Sequence, residues 1–467
     1  MYNYTERRKL TNMDIINPAT EALITTVEED TAASAQEKYE RVRQDQSAWN
    51  QTPIAKRIAT IARFSELLKS QADELAKTLT QEMGKPLNQA HNELNGAQGR
   101  IRYFVENSKK WLAEEVITEE EGLVEKIAYE PLGVITNISA WNYPYLVGVN
   151  VFIPALIAGN GVLYKPSEYT TLTGLKIGEL LHQAGVPENV FQVVVGGGEV
   201  GKALLNLPLD GYFFTGSNRT GQRIYEAVAT RMVPCQMELG GKDPLYVPND
   251  NANVAKTAQA AAEGSFYNNG QSCCAVERIY VHQAIYDEFL EAFVQEVQQF
   301  KLGGPEEEGV FIGPLARQEQ IAVLEQQVQD ALDKGAQLLS GGKKADRSGY
   351  YFEPTVLTNV NHQMLVMREE SFGPIIGIQR VANDEEALAL MQDTDYGLTA
   401  AVYCDTQAKA EEILAKIDSG TAYWNCCDRV SAPLPWSGRK KSGFGSTLSY
   451  QGIRTFTKPK AYHLRRG

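Results

Sequence analysis

The sequence lacks the residue patterns of a metal site. It has only six cysteines in 467 residues, and four of them form the adjacent pairs Cys273–Cys274 and Cys426–Cys427 rather than CxxC motifs. Its five histidines are scattered without ligand spacing. Structural zinc is held by spaced Cys and His side chains, and a Ser-His-Asp mechanism needs a positioned His. We therefore expect reduced thiols, no metal and no histidine-based catalysis.

Positive charges are outnumbered by negative ones, and long apolar runs are scarce. The formal net charge of −13 disfavours binding to nucleic acid or to an anionic membrane surface. The most apolar stretch, 146–164, is interrupted by polar residues, glycines and a proline, so it does not predict a membrane helix. The amino-terminal segment 1–20 lacks the apolar core and cleavage site of a signal peptide. We expect a cytoplasmic protein with no nucleic-acid or membrane partner.

What the chain does contain is an alternation of helix and strand patterns. Apolar residues at helical spacing over 55–109 predict two or three amphipathic helices. Strands are then predicted at 133–138, 161–165, 190–195 and 211–215, with helices at 145–158 and 171–184. The second half adds strands at 244–247 and 278–281 and helices at 253–268 and 284–300. This alternation predicts an α/β fold of parallel βαβ units, with ligands at the carboxyl ends of the strands.

Short motifs place polar or reactive side chains where these elements end. They read AWNYP at 140–144, KPSE at 165–168, FTGS at 214–217, MELGGK at 237–242 and NNGQSC at 268–273. The FTGS motif precedes a helix beginning at Asn218, whose first N–H groups suit a phosphate. Glu238 ends an apolar strand, where burial would raise its pKa toward that of a general base.

Each motif also has an ordinary structural interpretation. Asn142 would serve as a turn residue, the KPSE charges would form a solvated loop, and FTGS would be a plain helix cap. Glu238 would pair with Lys242, and Cys273 would be inert packing. The GGGEVG segment at 196–201 matches GxGxxG but lacks the acid expected about 20 residues later. It predicts a glycine-rich turn that is still free to face a cofactor.

Together the motifs resemble those of the aldehyde dehydrogenase superfamily, in which WN(F/Y)P, KP(S/A)E, FTGS, ELGGK, GQxC and E(x)FGP occur in this order. The resemblance extends nearly end to end, with NPAT at 17–20, EMGKP at 82–86, PWSG at 435–438 and SGFG at 442–445. The phrases EMGKPLNQA and ELGGKDP also look like those of bacterial succinate-semialdehyde dehydrogenases. The chain departs from the family pattern at Ser437, at 446–447 and at Asp243.

The resemblance implies a mechanism. Cys273, rather than Cys274, occupies the nucleophile position, and its thiolate would attack the aldehyde carbon. Asn142 and the Cys273 backbone N–H would stabilise the oxyanion. After hydride transfer, Glu238 would deprotonate the water that hydrolyses the thioester to a carboxylic acid. The alternatives are a CoA-acylating dehydrogenase, against which Glu238 argues, and a family member that has lost catalysis and serves as a binding or structural protein.

The same resemblance implies that the cofactor is NAD+ or NADP+. The residues expected to bind it are Trp141, Lys165, Ser167, Glu168, Gly216, Ser217, Glu370 and Phe372. Glu168 would accept hydrogen bonds from the adenosine ribose hydroxyls and repel a 2′-phosphate, so NAD+ is the preferred cofactor. Lys165 would reach that phosphate if Glu168 rotated away, so the preference is expected to be partial.

The family fold implies three parts. They are a Rossmann-type cofactor domain over 1–115 and 130–237 with 433–447, an α/β catalytic domain over 238–432, and a small β oligomerisation element over 116–129 and 448–467. Within that element, 452–463 is expected to be a strand shared with another subunit of a homodimer or homotetramer.

The aldehyde substrate is expected to enter a funnel with aromatic and polar walls. Its predicted lining is Tyr143, Val147, Asn150, Tyr267, Arg429, Val430 and Trp436. This mixture fits several aldehydes, and Arg429 either pairs with a substrate carboxylate or is an ordinary surface charge.

Overall fold

A computed structural model describes residues 12–466. Residues 1–11, which contributed to the expectation of no signal peptide, and residue 467 lie outside the described residues.

The described chain begins with a hairpin and four helices. They are β1 (Asn12–Ile16), β2 (Leu23–Glu28), α1 (Ala32–Gln51), α2 (Ile54–Ser70), α3 (Ala72–Met83) and α4 (Leu87–Trp111). The prediction of up to three helices over 55–109 is confirmed by α2, α3 and α4. The hairpin and α1 were not predicted. Helix α1 starts at a capping box between Thr31 and Ser34, and it buries only a narrow apolar face.

The middle of the chain follows the predicted alternation closely. Its elements are β3 (Glu115–Glu120), β4 (Leu123–Pro131), β5 (Val134–Ile138), α5 (Pro144–Ala158), β6 (Gly161–Lys165), α6 (Thr171–Ala184), β7 (Phe191–Val193), α7 (Gly198–Asn206), β8 (Gly211–Thr215), α8 (Asn218–Val228) and β9 (Cys235–Glu238). The predicted strand at 190–195 is shorter than expected. Helix α6 ends where Gly185 adopts a left-handed φ of 101°, a conformation that glycine tolerates.

The second half forms another α/β unit and a closing segment. Its elements are β10 (Asp243–Val247), α9 (Val254–Phe266), β11 (Val276–His282), α10 (Tyr286–Gln299), α11 (Glu319–Asp333), β12 (Gln337–Ser340), β13 (Thr355–Thr358), β14 (Ile375–Val381), α12 (Asp384–Gln392), β15 (Tyr396–Gly397), β16 (Thr399–Val402), α13 (Gln407–Leu414), β17 (Thr421–Trp424), β18 (Arg439–Lys440), β19 (Gly443–Phe444), α14 (Ser449–Arg454) and β20 (Thr457–Arg465).

Two large sheets organise the molecule. The first has the strand order β19-β9-β8-β5-β6-β7, and the second has the order β12-β13-β14-β11-β10-β16-β17. Only the edge strands β19 and β12 run antiparallel to their neighbours in these sheets as described. Strands β5 and β6 are buried along their whole length, because helices cover the sheet. The predicted α/β class is therefore confirmed.

A third, antiparallel sheet has the order β20-β4-β3. The expectation of one strand over 452–463 is wrong at its start, because 449–454 forms helix α14. This helical turn buries Ile453, and the buried Phe456 follows it. The strand begins only at Thr457 and pairs with β4 along its full length.

Candidate active site

The carboxyl ends of the first sheet's strands carry four of the sequence motifs. Trp141 and Asn142 follow β5, Lys165 ends β6, Ser217 follows β8, and Glu238 ends β9. Strands β5, β6, β8 and β9 are parallel, so these ends meet along one edge of the sheet. Ligands of open α/β sheets bind at such an edge.

Lys165 and Glu168 flank the end of β6. Lys165 is buried, its Nζ donates to the Pro166 carbonyl at 3.2 Å, and burial lowers the pKa of its ammonium. Ser167 Oγ donates to Glu168 Oε2 at 3.2 Å, and Glu168 is partly exposed. A Cβ placed on Gly201 would lie 3.8 Å from Lys165 Cε. The predicted glycine-rich turn at 196–201 is wrong from Gly198 on, because these residues begin helix α7, and this first helical turn lies beside the Lys165 side chain.

The N-terminus of α8 lies at the next strand end. Ser217 caps the helix, its Oγ accepting from the Thr220 N–H at 3.4 Å, and its side chain is exposed. A Cβ on Gly216 would lie 2.6 Å from the Phe214 ring, so only glycine fits there. N–H groups of a first helical turn point outward and attract anions.

Glu370 and Phe372, between β13 and β14, contact segments that follow strands of the first sheet. One Glu370 carboxylate oxygen accepts from the Gly241 N–H at 2.9 Å. Burial, and then repulsion from Glu277, raises the pKa of Glu370 to about 8. The Trp141 and Phe372 rings meet edge to face, with centroids 5.4 Å apart.

This set of groups fits a nicotinamide dinucleotide. The helix N-terminus at Ser217 could offer N–H groups to a pyrophosphate. Lys165 and Glu168 could offer a cation and a carboxylate to one ribose, next to the space that Gly201 leaves without a side chain. Glu370, two residues before Phe372, could offer a second carboxyl group to the other ribose.

Cys273 lies in a loop that many hydrogen bonds hold. The preceding helix α9 ends at Phe266, earlier than the predicted 268, because Asn268 and Asn269 adopt left-handed φ values of 54° and 58°. Asn269 Nδ2 donates to the carbonyls of Gly313 and Pro314 at 2.9 and 2.7 Å. Asparagine tolerates this conformation better than most residues, so its side chains brace a turn that a helix cannot make.

A cavity of about 650 Å³ opens at Cys273. All of the residues predicted for the substrate funnel line it: Tyr143, Val147, Asn150, Tyr267, Arg429, Val430 and Trp436. The volume is that of a small-molecule site.

The Asn142 side chain is held near the Cys273 loop. It is buried, and its Nδ2 donates to the Gln271 carbonyl at 3.0 Å. Its own backbone carbonyl accepts from Asn268 Nδ2 at 3.2 Å. An amide nitrogen has two hydrogens, so one remains for a further acceptor.

The two adjacent thiols differ in environment. Cys274 is buried, and its Sγ donates to Asp428 Oδ1 at 3.2 Å, an oxygen that also accepts from Ser272 Oγ at 2.9 Å. A hydrogen bond with Cys273, together with burial, raises the pKa of the Cys274 thiol well above its usual range. Burial raises the pKa of Asp428 to about 6. Cys273 is the partly exposed thiol of the pair.

Glu238 does not pair with Lys242, so that structural interpretation is wrong. Lys242 Nζ instead contacts Glu277 Oε2 at 2.7 Å and Ser371 Oγ at 3.0 Å. Glu238 is buried, and its Oε1 accepts from Gln236 Nε2 at 3.2 Å. Its Oε2 has no hydrogen-bond partner among residues 12–466. Burial raises the pKa of this carboxyl well above its usual range.

A buried ion pair between Lys85 and Glu93 contacts the backbone of Asn142, and the sequence motifs gave it no role. Lys85 Nζ donates to the Asn142 carbonyl at 2.8 Å and pairs with Glu93. Glu93 Oε1 accepts from the Tyr145 N–H at 2.8 Å, at the start of α5. The EMGKP motif was the only sequence signal for Lys85, whereas Glu93 had none.

The unusual Asp243 has a structural role. Its Oδ2 accepts from Thr399 Oγ1 at 2.6 Å, which links the starts of β10 and β16. Burial raises the pKa of Asp243 to about 8. The carboxyl therefore retains its proton near neutral pH.

The described chain has neither a membrane-spanning helix nor a cluster of metal ligands. Among residues 12–466, no helix combines the length and apolarity needed to cross a membrane. Within the same residues, no group of three or more His, Cys, Asp or Glu side chains could hold a metal ion.

The fold and the site together define an α/β dehydrogenase with a thiol at its substrate cavity. The chain belongs to the aldehyde dehydrogenase family, whose model matches residues 4–462. It oxidises an aldehyde to a carboxylic acid with NAD+ or NADP+, through a covalent cysteine thiohemiacetal and thioester. Nothing in the comparisons supports the CoA-acylating or non-catalytic alternatives.

Several known proteins are similar along nearly their whole length. The succinate-semialdehyde dehydrogenase [NADP(+)] of Deinococcus radiodurans is 34% identical, over 95% of this chain and 93% of its own. Aminoaldehyde dehydrogenase 2, peroxisomal, of Pisum sativum is 34% identical over 96% of this chain and 91% of its own. The structure of Staphylococcus aureus betaine aldehyde dehydrogenase with NAD+ has a TM-score of 0.93 at 31% identity, covering 97% and 91% of the two chains.

Proposed function

We propose that Cys273 is the nucleophile of this aldehyde dehydrogenase. Both thiols line the 650 Å³ cavity, but Cys273 is partly exposed there, whereas Cys274 is buried and its Sγ donates to Asp428; this difference carries the proposal. The Cys273 thiolate attacks the aldehyde carbon. The Asn142 amide and the Cys273 N–H stabilise the resulting oxyanion, because fixed donors at a developing charge need no reorganisation.

We propose that Glu238 is the base for hydrolysis. Bound NAD(P)+ supplies the acceptor for the hydride that leaves the thiohemiacetal carbon. Glu238 then takes a proton from the water that attacks the thioester on Cys273. Its buried carboxyl, raised pKa and unpartnered Oε2 suit a group that gains a proton in the reaction.

For the cofactor, we propose that the edge of the first sheet binds the dinucleotide with a partial preference for NAD+. The pyrophosphate contacts Gly216 and Ser217, and the adenosine ribose contacts Lys165, Ser167 and Glu168. Glu370 contacts the nicotinamide ribose, with Trp141 and Phe372 beside it. The partly exposed Glu168 favours ribose hydroxyls over a 2′-phosphate.

The substrate that we propose is a small aldehyde with a polar far end. The cavity combines the aromatic residues Tyr143, Tyr267 and Trp436 with Asn150 and Arg429. The relatives' names include both a semialdehyde that ends in a carboxylate and aminoaldehydes. A comparison of kcat/KM across aliphatic, carboxylate and trimethylammonium aldehydes tests this proposal.

We also propose that the chain forms a homodimer or homotetramer through the β20-β4-β3 sheet. Both outer strands of this sheet are largely exposed, and Val116, Ile117 and Leu464 are each about half exposed or more. Edge strands with apolar side chains favour pairing with another chain. Light scattering measures the assembly, and cell fractionation tests the cytoplasmic location that we expect from the sequence.

The central experiment compares Cys273→Ser with the matched control Cys274→Ser. Cys273→Ser should abolish NADH formation while binding of NAD+ stays normal, because a serine hydroxyl ionises far less readily than a thiol. Cys274→Ser should have only a mild effect on turnover. Wild-type turnover by the first variant, or total loss only in the second, would contradict the assignment of the nucleophile.

A further inference from the structure

Arg100 is a cationic residue of the substrate cavity that the sequence motifs did not indicate. It lies in α4 and lines the same cavity as Cys273. Its side chain is only partly exposed. Arginine keeps its charge at all ordinary pH values, so this charge sits in a site with limited access to water.

The contacts of Arg100 orient its guanidinium without neutralising it. Nη1 donates to the Leu146 carbonyl and to Asn150 Oδ1, both at 3.0 Å. Both acceptors are uncharged and belong to α5. In the part of the chain that the structure describes, Arg100 forms no ion pair. Burial lowers the pKa of the guanidinium to about 10, and this effect outweighs the opposite influence of Cys274 and Glu93.

Three carboxylates line the cavity, and each is either already engaged or exposed to solvent. Glu93 is paired with Lys85 in a fully buried contact. Asp428 accepts hydrogen bonds from Ser272 and Cys274. Glu263, on α9, is exposed at the rim. Partial burial of a charge without a counter-ion is costly, so the site is arranged for an anion that arrives from solution.

We propose that Arg100 binds the carboxylate of an aldehyde substrate whose other end reaches Cys273, so that the enzyme prefers ω-oxo carboxylates. This inference rests on the proposed function of the same cavity. Nη1 is held by α5, which leaves the rest of the planar guanidinium to form charge-assisted hydrogen bonds with a carboxylate. An aldehyde with a terminal cation would meet a like charge at this position, which disfavours it.

Arg429 is the other arginine of the cavity, but it is exposed. Water screens its charge, so we expect it to guide anions into the funnel rather than to select among bound aldehydes. Of these two cavity arginines, Arg100 is the one whose guanidinium is fixed by two hydrogen bonds from one nitrogen.

The test compares kcat/KM for succinate semialdehyde, glutarate semialdehyde, the methyl ester of each, and a trimethylammonium aldehyde of similar length. Wild-type enzyme should prefer at least one semialdehyde over its ester by about 10-fold or more, the range for hydrogen bonds to charged groups. Arg100→Met should remove that preference and leave activity on the ester within about 3-fold of wild type. Arg102→Met is the matched control, because Arg102 is exposed on the same helix and should change neither ratio.

Arg100→Lys keeps the charge but loses the planar geometry, so it should reduce the preference by a smaller factor. If Arg100→Met does not fold, the proposal is tested by the ratio of semialdehyde to ester kcat/KM in the wild-type enzyme and in Arg100→Lys. Wild-type preference for the ester or the trimethylammonium aldehyde would overturn the proposal. An equal fall in semialdehyde and ester activity in Arg100→Met would also overturn it. Absence of NADH formation from every aldehyde would instead contradict the proposed function.

Discussion

Glu238→Gln separates hydride transfer from thioester hydrolysis. Glutamine has nearly the same size and keeps an oxygen for the Gln236 hydrogen bond, which measures 3.2 Å in the wild-type site. It cannot take a proton from water. We expect the first turnover to proceed normally and steady-state turnover to fall by about 10²–10⁴-fold, the usual contribution of a general base. This corresponds to roughly 3–5 kcal/mol of transition-state stabilisation.

The assay is stopped-flow detection of NADH on mixing the variant and NAD+ with an aldehyde. A burst that approaches one NADH per active site, followed by a slow linear phase, is the expected trace. Mass spectrometry should then find an acyl group on Cys273. Both observations follow if only the hydrolysis step needs the carboxylate.

The pH dependence provides a second measurement. Burial raises the pKa of Glu238, and the base must be ionised, so wild-type turnover limited by hydrolysis should rise with pH through that raised pKa. Glu238→Gln should lose this rise. The hydrogen bond from Gln236 lowers the pKa of Glu238, so Gln236→Leu should move the rise to higher pH while keeping the burst.

Two results would refute this reasoning. Steady turnover of Glu238→Gln within about 3-fold of wild type would mean that another group acts as the base. Loss of the burst together with turnover would mean that Glu238 also activates Cys273.

Three further predictions address the cofactor, stability and the support of Asn142. Glu168→Ser should improve kcat/KM for NADP+ by roughly tenfold and weaken use of NAD+; an unchanged ratio would exclude Glu168 as the selecting residue. Folded Asp243 keeps its proton to about pH 8 but has a pKa of 3.8 when unfolded, so wild-type stability falls as pH rises between these values. Asp243→Asn should therefore gain about 1.4 kcal/mol per pH unit relative to wild type across that window, measured by denaturant unfolding; a constant difference would contradict the raised pKa. Lys85→Met should lower the free energy of unfolding by about 3–5 kcal/mol and reduce kcat, whereas Lys85→Met with Glu93→Gln should recover much of the stability.

The sequence by itself determined the order of elements in the middle of the chain. Strands β6 and β8 and helix α6 have the predicted bounds, because glycine and proline mark their ends and their apolar residues repeat at regular spacing. It also identified residues along one sheet edge, because they end or follow strands, whereas the residues around the cavity were predicted only from the resemblance to a family. Glycine, proline and apolar spacing lie within a few residues of the element that they mark, so a short stretch of sequence is enough to show them.

Only the tertiary structure decided which charges are paired. Lys242 is adjacent to the ELGG segment in sequence, yet its partner is Glu277, on β11. Arg100 and Glu93 lie on α4, far in sequence from Cys273, and they reach the cavity because α4 packs against α5. Side chains distant in the chain become neighbours only through packing, and burial then sets their pKa values. No pattern within a short window contains that information.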